Sequence, residues 1–88
     1  VVMVRYPHPG TWTLAFLTGD GMAEANRKTG RDLVNIFVPT TPNPTSGFFL
    51  MVPREDMIEL DMPVDVGIKL ILSAGAVSPE SKPEPPGD

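Results

Sequence analysis

The chain has 88 residues, 41% hydrophobic and 20% charged, with a mean hydropathy of −0.01. This describes one small domain and excludes both a disordered polyelectrolyte and an uninterrupted apolar run of the ~20 residues needed to cross a bilayer. Seven Lys and Arg against eleven Asp and Glu leave a formal charge of −4, the wrong sign for a surface that tracks nucleic-acid phosphates; the lack of cysteine removes disulfides, thiolate metal sites and cysteine nucleophiles together.

The first residues, Val1-Val2-Met3-Val4, carry neither an initiator methionine nor a basic and apolar signal segment, which reads as a piece of a longer protein. Val2, Val4 and Tyr6 alternate with Met3 and Arg5, Pro7-His8-Pro9-Gly10 breaks the run, and Trp12, Leu14 and Phe16 then alternate with Thr11, Thr13 and Ala15. That pattern predicts a β-hairpin, with the hydroxyls of Thr11, Thr13 and Thr18 on its wetter face. Gly19-Asp20-Gly21 is expected to end the second strand.

Between Met22 and Arg31, Ala23, Glu24, Ala25, Arg27 and Lys28 favour a short helix, and Gly30 is placed to cap it. The cations Arg27, Lys28 and Arg31 fit a solvated face. Leu33-Val34 with Ile36-Phe37-Val38, and later Phe48 to Val52, are nearly continuous apolar runs. They predict two central strands of the sheet.

The loop Pro39-Thr40-Thr41-Pro42-Asn43-Pro44-Thr45-Ser46-Gly47 joins those runs. Its prolines fix their own φ and push the preceding residues towards extended conformations, so the segment is pre-ordered. Thr40, Thr41, Asn43, Thr45 and Ser46 can satisfy backbone amides in consecutive turns or present a binding surface. Asn43-Pro44 is a candidate cis peptide.

Pro53 closes the next strand, Arg54-Glu55-Asp56 turns the chain, and Ile58 and Leu60 alternate with Glu59 and Asp61 in a short edge strand. Pro63 and Asp65 suit the start of a last helix, in which Val64, Ile68, Ile71 and Leu72 recur at helical spacing up to Gly75. Gly67 weakens that helix by about 0.5–1 kcal/mol against alanine. Residues 78–88 contain no apolar anchor beyond proline and read as a flexible, acidic, proline-rich tail after a single domain spanning 1–77.

No catalytic constellation is visible. His8, the only histidine, lies between two prolines in a turn, and the loop hydroxyls have no adjacent base to take a proton. Glu55, Asp56, Glu59, Asp61 and Asp65 lack the spacing of a calcium loop. Neither a metal nor a cofactor is expected. The aromatics Tyr6, Trp12, Phe16, Phe37, Phe48 and Phe49 are candidate core. In so small a domain, however, strands with apolar residues on both faces would leave Phe37, Phe49 and Met51 as an exposed patch suited to an interface.

The series Tyr6-Pro7, Gly10, Trp12, Phe16, Thr18-Gly19, Phe37 through Gly47, Val52 through Asp56 and Glu59 through Met62 resembles the membrane-protein family of bacteria and plants called domain of unknown function five-hundred-two, with its continuous-vascular-ring-like members. The resemblance covers roughly Val2 to Val77 and rests most on the proline-threonine motif. It implies transmembrane helices before Val1, a soluble C-terminal domain on the cytoplasmic side of a membrane, and no enzymatic activity. Pro63, where a serine N-cap is usual, and Gly67, where a better helix former is usual, depart from the family pattern.

The expected fold is α+β, a small and largely antiparallel β-sheet covered by the C-terminal helix, with a partly open β-barrel as the alternative. The expected function is non-enzymatic: an interaction or assembly domain of a membrane-anchored protein. Thr40, Thr41, Asn43, Thr45, Ser46 and nearby Arg54 would form its recognition surface, and Phe37, Phe49 and Met51 its interface. The alternative is a small-molecule or anion-binding module in which Arg54 and the loop amides grip a ligand. A second copy of the chain or a membrane protein is the expected partner, nucleic acid is not, and membrane contact falls to a segment outside this chain.

Overall fold

The computed structural model describes residues 1–77; the tail expected at 78–88 lies outside the described residues. Strands β1 (Val2–Arg5) and β2 (Trp12–Asp20) form the predicted hairpin, with Val2 opposite Ala15 and Arg5 opposite Trp12. Helix α1 (Ala23–Thr29) ends at Gly30, whose φ of 68° is the left-handed conformation that glycine adopts without strain. Then come β3 (Leu33–Pro39), β4 (Gly47–Pro53), a 3₁₀ turn at Arg54–Asp56, β5 (Met57–Glu59) and helix α2 (Val64–Leu72).

All five strands join one antiparallel sheet in the order β4-β3-β2-β1-β5. The fold is therefore α+β. The sheet stays open, with β4 and β5 as its edges, so the barrel alternative does not hold. The expectation of β4 as a central strand is also corrected. Only β3 pairs with it, because an apolar run marks apolar surroundings without stating how many neighbours a strand has.

β2 runs on past Gly19 to Asp20 by admitting one extra residue. Leu17 faces Ile36 and Gly19 faces Asn35, so Thr18 is the bulged residue, and its hydroxyl donates to the Asn35 carbonyl at 3.2 Å. Thr18 thus serves the sheet's own backbone.

The pairing register sorts the side chains onto two faces. Val2, Val4, Ala15, Val34, Ile36 and Val38 form the buried cluster on the inner face, with Tyr6, Leu50, Val52 and Met57 packed against it. Every member comes from a strand or its flank. A flat sheet would hold β1 and β4 about 14 Å apart, three strand spacings. Yet the rings of Tyr6, after β1, and Phe48, on β4, have centroids only 6.2 Å apart. The sheet therefore curls, bringing the flank of β1 and the start of β4 together over the inner face.

This curl corrects two expectations about the hairpin and the aromatics. The face of Thr13 and Ala15 is the inner one, and Ala15 is fully buried while Trp12 is 46% exposed. No aromatic belongs to the buried cluster; Trp12, Phe48 and Phe49 are exposed, and Tyr6, Phe16 and Phe37 are half-buried. The space inside a tightly curled sheet of short strands suits Val, Ile and Ala, whose β-branched or small side chains fill it without long rotamers.

α2 reaches the sheet through its buried residues, Gly67 and Ile71. A Cβ at Gly67 would lie 2.9 Å from a methyl of Val1, so the residue that weakens the helix also lets it approach the strand. Pro63 takes the N-cap position, not the first helical one, where its missing N–H costs nothing.

Candidate functional site

The proline-threonine loop is held by its own polar groups. The Thr40 N–H donates to the Ser46 carbonyl at 2.8 Å, and the Thr40 hydroxyl reaches the Asn43 carbonyl at 2.6 Å and the Ser46 carbonyl at 3.2 Å. Asn43 Oδ1 accepts from the Thr45 N–H at 3.2 Å and from the Thr45 hydroxyl at 2.5 Å. Thr40, Asn43 and Thr45 therefore act on the loop's own conformation. The amides of Thr40, Thr45 and Ser46, which a ligand would need, already have acceptors inside the loop. The hydroxyls of Thr41 and Ser46 have no side-chain hydrogen bond within the described residues. The cis peptide in the loop is Thr41-Pro42, with a second at Tyr6-Pro7, instead of Asn43-Pro44.

Replacing Thr40 with valine keeps the β-branched shape and removes the clamp on two carbonyls. The expected loss of stability is about 1 kcal/mol, read from urea midpoints, together with faster hydrogen exchange at the Thr45 and Ser46 amides. Unchanged exchange at those amides would mean that the Thr40 hydroxyl does not hold the loop.

Arg54 does not join this surface. The loop precedes β4 and Arg54 follows it, so the seven residues of β4 hold them about 23 Å apart at 3.3 Å per residue. Arg54 ties three elements together instead. Its Nε donates to Asp32 Oδ2 at 3.0 Å, its Nη2 to Asp20 Oδ1 at 3.1 Å, and its backbone N–H to the Asp32 carbonyl at 2.8 Å. The hydrogen bonds to Asp32 and then Asp20 raise the guanidinium pKa above its ordinary value. Neither carboxylate stood out in the sequence, because only the antiparallel return of β3 and β4 brings the ends of three segments together.

Phe37, Phe49 and Met51 do share one face. Phe37 is paired with Phe49 on one side and Phe16 on the other, and Met51 lies opposite Asn35. On the edge strand, Phe49 is 61% and Met51 38% exposed. Sequence reading missed Phe16, which completes a three-strand aromatic row, since only the register places it there. Further along the same outer face, the Arg5 guanidinium sits 5.6 Å from the Trp12 ring centroid, a cation–π arrangement.

His8 organises the β1–β2 turn. Its Nδ1 accepts from the Gly10 N–H at 3.3 Å, and Nε2 lies 3.1 Å from the Thr11 hydroxyl. Beside the loop, Thr41, Pro39, Trp12, Leu70 and Ile71 line an open cleft of about 370 Å³. No cluster of three potential metal ligands occurs among the described residues, and no helix among them is long and apolar enough to cross a membrane.

The chain is 29% identical over 79 residues to "Protein LIKE COV 3" of Arabidopsis thaliana; the alignment takes in 90% of this chain and 28% of that protein. The chain thus spans less than a third of its relative's length. No solved structure matches. Residues 1–46 match the family described as "Protein of unknown function (DUF502)". That stretch holds β1, β2, α1, β3 and the loop residues from Thr40 to Ser46, more than half of the 88 residues, and the chain accordingly belongs to the DUF502 family.

Proposed function

We propose that this chain is a non-enzymatic assembly domain of a membrane-anchored protein, that it works on the cytoplasmic side, and that its contact surface is the β4 edge with the outer face beside it. The observation that carries this reading is the contrast between the two edges of the sheet. β5 is three residues long and includes Glu59, with Asp56 before it and Asp61 after it, the short and charged pattern that discourages another strand from pairing. β4 is seven residues, Gly-Phe-Phe-Leu-Met-Val-Pro, with no charge. Phe48, Phe49 and Met51 on it are exposed. An open edge of that length and composition is a template for strand addition. In this proposal the membrane anchor lies outside this chain; the relative's length beyond the match is compatible with such a segment.

The ligand-binding alternative has less behind it, because three of the loop's amides, those of Thr40, Thr45 and Ser46, are taken and Arg54 lies at the far end of β4 with two carboxylates.

Light scattering coupled to size-exclusion chromatography tests the reading on the 88-residue chain. The expected result is a dimer whose share rises with concentration. A monomer at every concentration up to the millimolar range would overturn self-assembly.

A further inference from the structure

Resting on β4 as the assembly edge, we propose that two copies pair β4 with β4, antiparallel about a twofold axis at Leu50, which sets the proline-threonine loop of each copy beside residues 54–56 of the other. The argument begins with symmetry. A closed contact between identical surfaces is isologous, so whatever residue i meets must meet residue i in return. With the axis perpendicular to the sheet, the two β4 strands run antiparallel and both outer faces lie on the same side. The five-stranded sheets then continue into one another, and the apolar outer patches merge.

The register follows from the strand's own limits. β4 spans Gly47–Pro53, and centring the axis on Leu50 overlaps it over its full length. Phe49 then faces Met51, Phe48 faces Val52, and Gly47 faces Pro53, whose missing N–H falls at the strand end where a ladder tolerates it. A slip of one residue would set outer-face residues against inner-face ones, and a slip of two would shorten the overlap.

Charge selects the orientation. Arg54, Glu55 and Asp56 follow β4 directly, while Thr45 and Ser46 precede it without charge. Antiparallel pairing puts the acidic pair of each copy alongside the uncharged hydroxyl loop of the other. Parallel pairing would lay Glu55 and Asp56 of both copies side by side, a repulsion between chains that each already carry −4. The loop's rigidity now has a use: a clamped loop holds its exposed Thr45 and Ser46 in one place at the end of the partner strand. The loop and Arg54, held apart within one chain, become neighbours between two.

Disulfide trapping tests the register, since the chain has no cysteine of its own. Phe49→Cys and Met51→Cys are prepared separately, one carrying a mass tag, and mixed under mild oxidation. Facing residues in an antiparallel pair have Cβ atoms about 4.5–5.5 Å apart and diagonal ones about 7–8 Å, so only the facing pair suits a disulfide. The expected product is the mixed Phe49→Cys/Met51→Cys dimer, at least about fivefold over either self-linked form, with Ile58→Cys on the other edge giving no dimer above background. Self-linked products matching the mixed one would overturn the register. A dimer by light scattering that gives no β4 cross-link would overturn β4 pairing, and a monomer would remove the assembly reading beneath it.

Discussion

Gly47→Ala is expected to be the most damaging glycine-to-alanine change among the described residues. A Cβ at Gly47 would lie 2.2 Å from the Val38 carbonyl oxygen, 2.9 Å from Phe37 Cζ and 2.9 Å from Pro39 Cα. Two of those three atoms are backbone of the paired strand, so no side-chain rotation relieves the contact. Either β4 moves away from β3 at the exit of the loop or the loop clamp opens. Overpacking that forces backbone shifts costs typically 1–3 kcal/mol and sometimes more, and the 2.2 Å approach puts this change at about 3 kcal/mol or above. In a domain this small, that is a large part of the total stability. Gly19→Ala is the control: nothing lies within 4 Å of its Cβ position, and the expected change is within about 0.5 kcal/mol. Urea unfolding of both variants gives the comparison, and a Gly47→Ala midpoint equal to that of Gly19→Ala would show that the loop exit has room.

The second large effect concerns assembly. Phe49→Lys with Met51→Lys puts two cations on each β4 edge, four across a twofold pair, and removes the apolar surface of the proposed contact. Both residues are exposed at that edge, so the inner core of Val2, Val4, Ala15, Val34, Ile36 and Val38 is untouched. The far-ultraviolet circular dichroism should stay that of the parent. Dimerisation should weaken at least about 100-fold, because facing like charges and lost apolar burial act together. Ile58→Lys, which adds a cation to the other edge where Ile58 is 44% exposed, should leave the dimer constant within about twofold, as expected of a site outside the contact. Equal weakening by the two changes would show that the contact is not confined to the β4 edge.

Much of the fold was legible because local chemistry and tertiary structure agreed. Alternation in Val2–Tyr6 and Trp12–Phe16 gave the hairpin, Gly30 gave the end of α1, and Glu59 with Asp61 marked β5 as an edge. The loop of prolines and hydroxyls was readable as ordered, since φ restriction and short-range hydrogen bonds are properties of neighbouring residues. The family resemblance, carried mainly by that loop, agrees with the match over residues 1–46.

What failed needed distances that a linear pattern does not contain. A period of two says that Thr13 and Leu14 point to opposite sides, but which side becomes the interior depended on the curl that brings Tyr6 against Phe48. The aromatics were therefore misplaced, and the buried cluster is aliphatic. β4 read as central because an edge strand is defined by a missing neighbour. Arg54 and the loop are separated only by the seven residues of β4 in sequence, yet an extended strand is the longest path the chain can take between two points. The sequence by itself determined which segments are strands, helices and turns, because those choices follow from each residue and its near neighbours. The tertiary structure decided which face is inside, which edge is open and which charged groups meet, because these depend on the order and curvature of the strands.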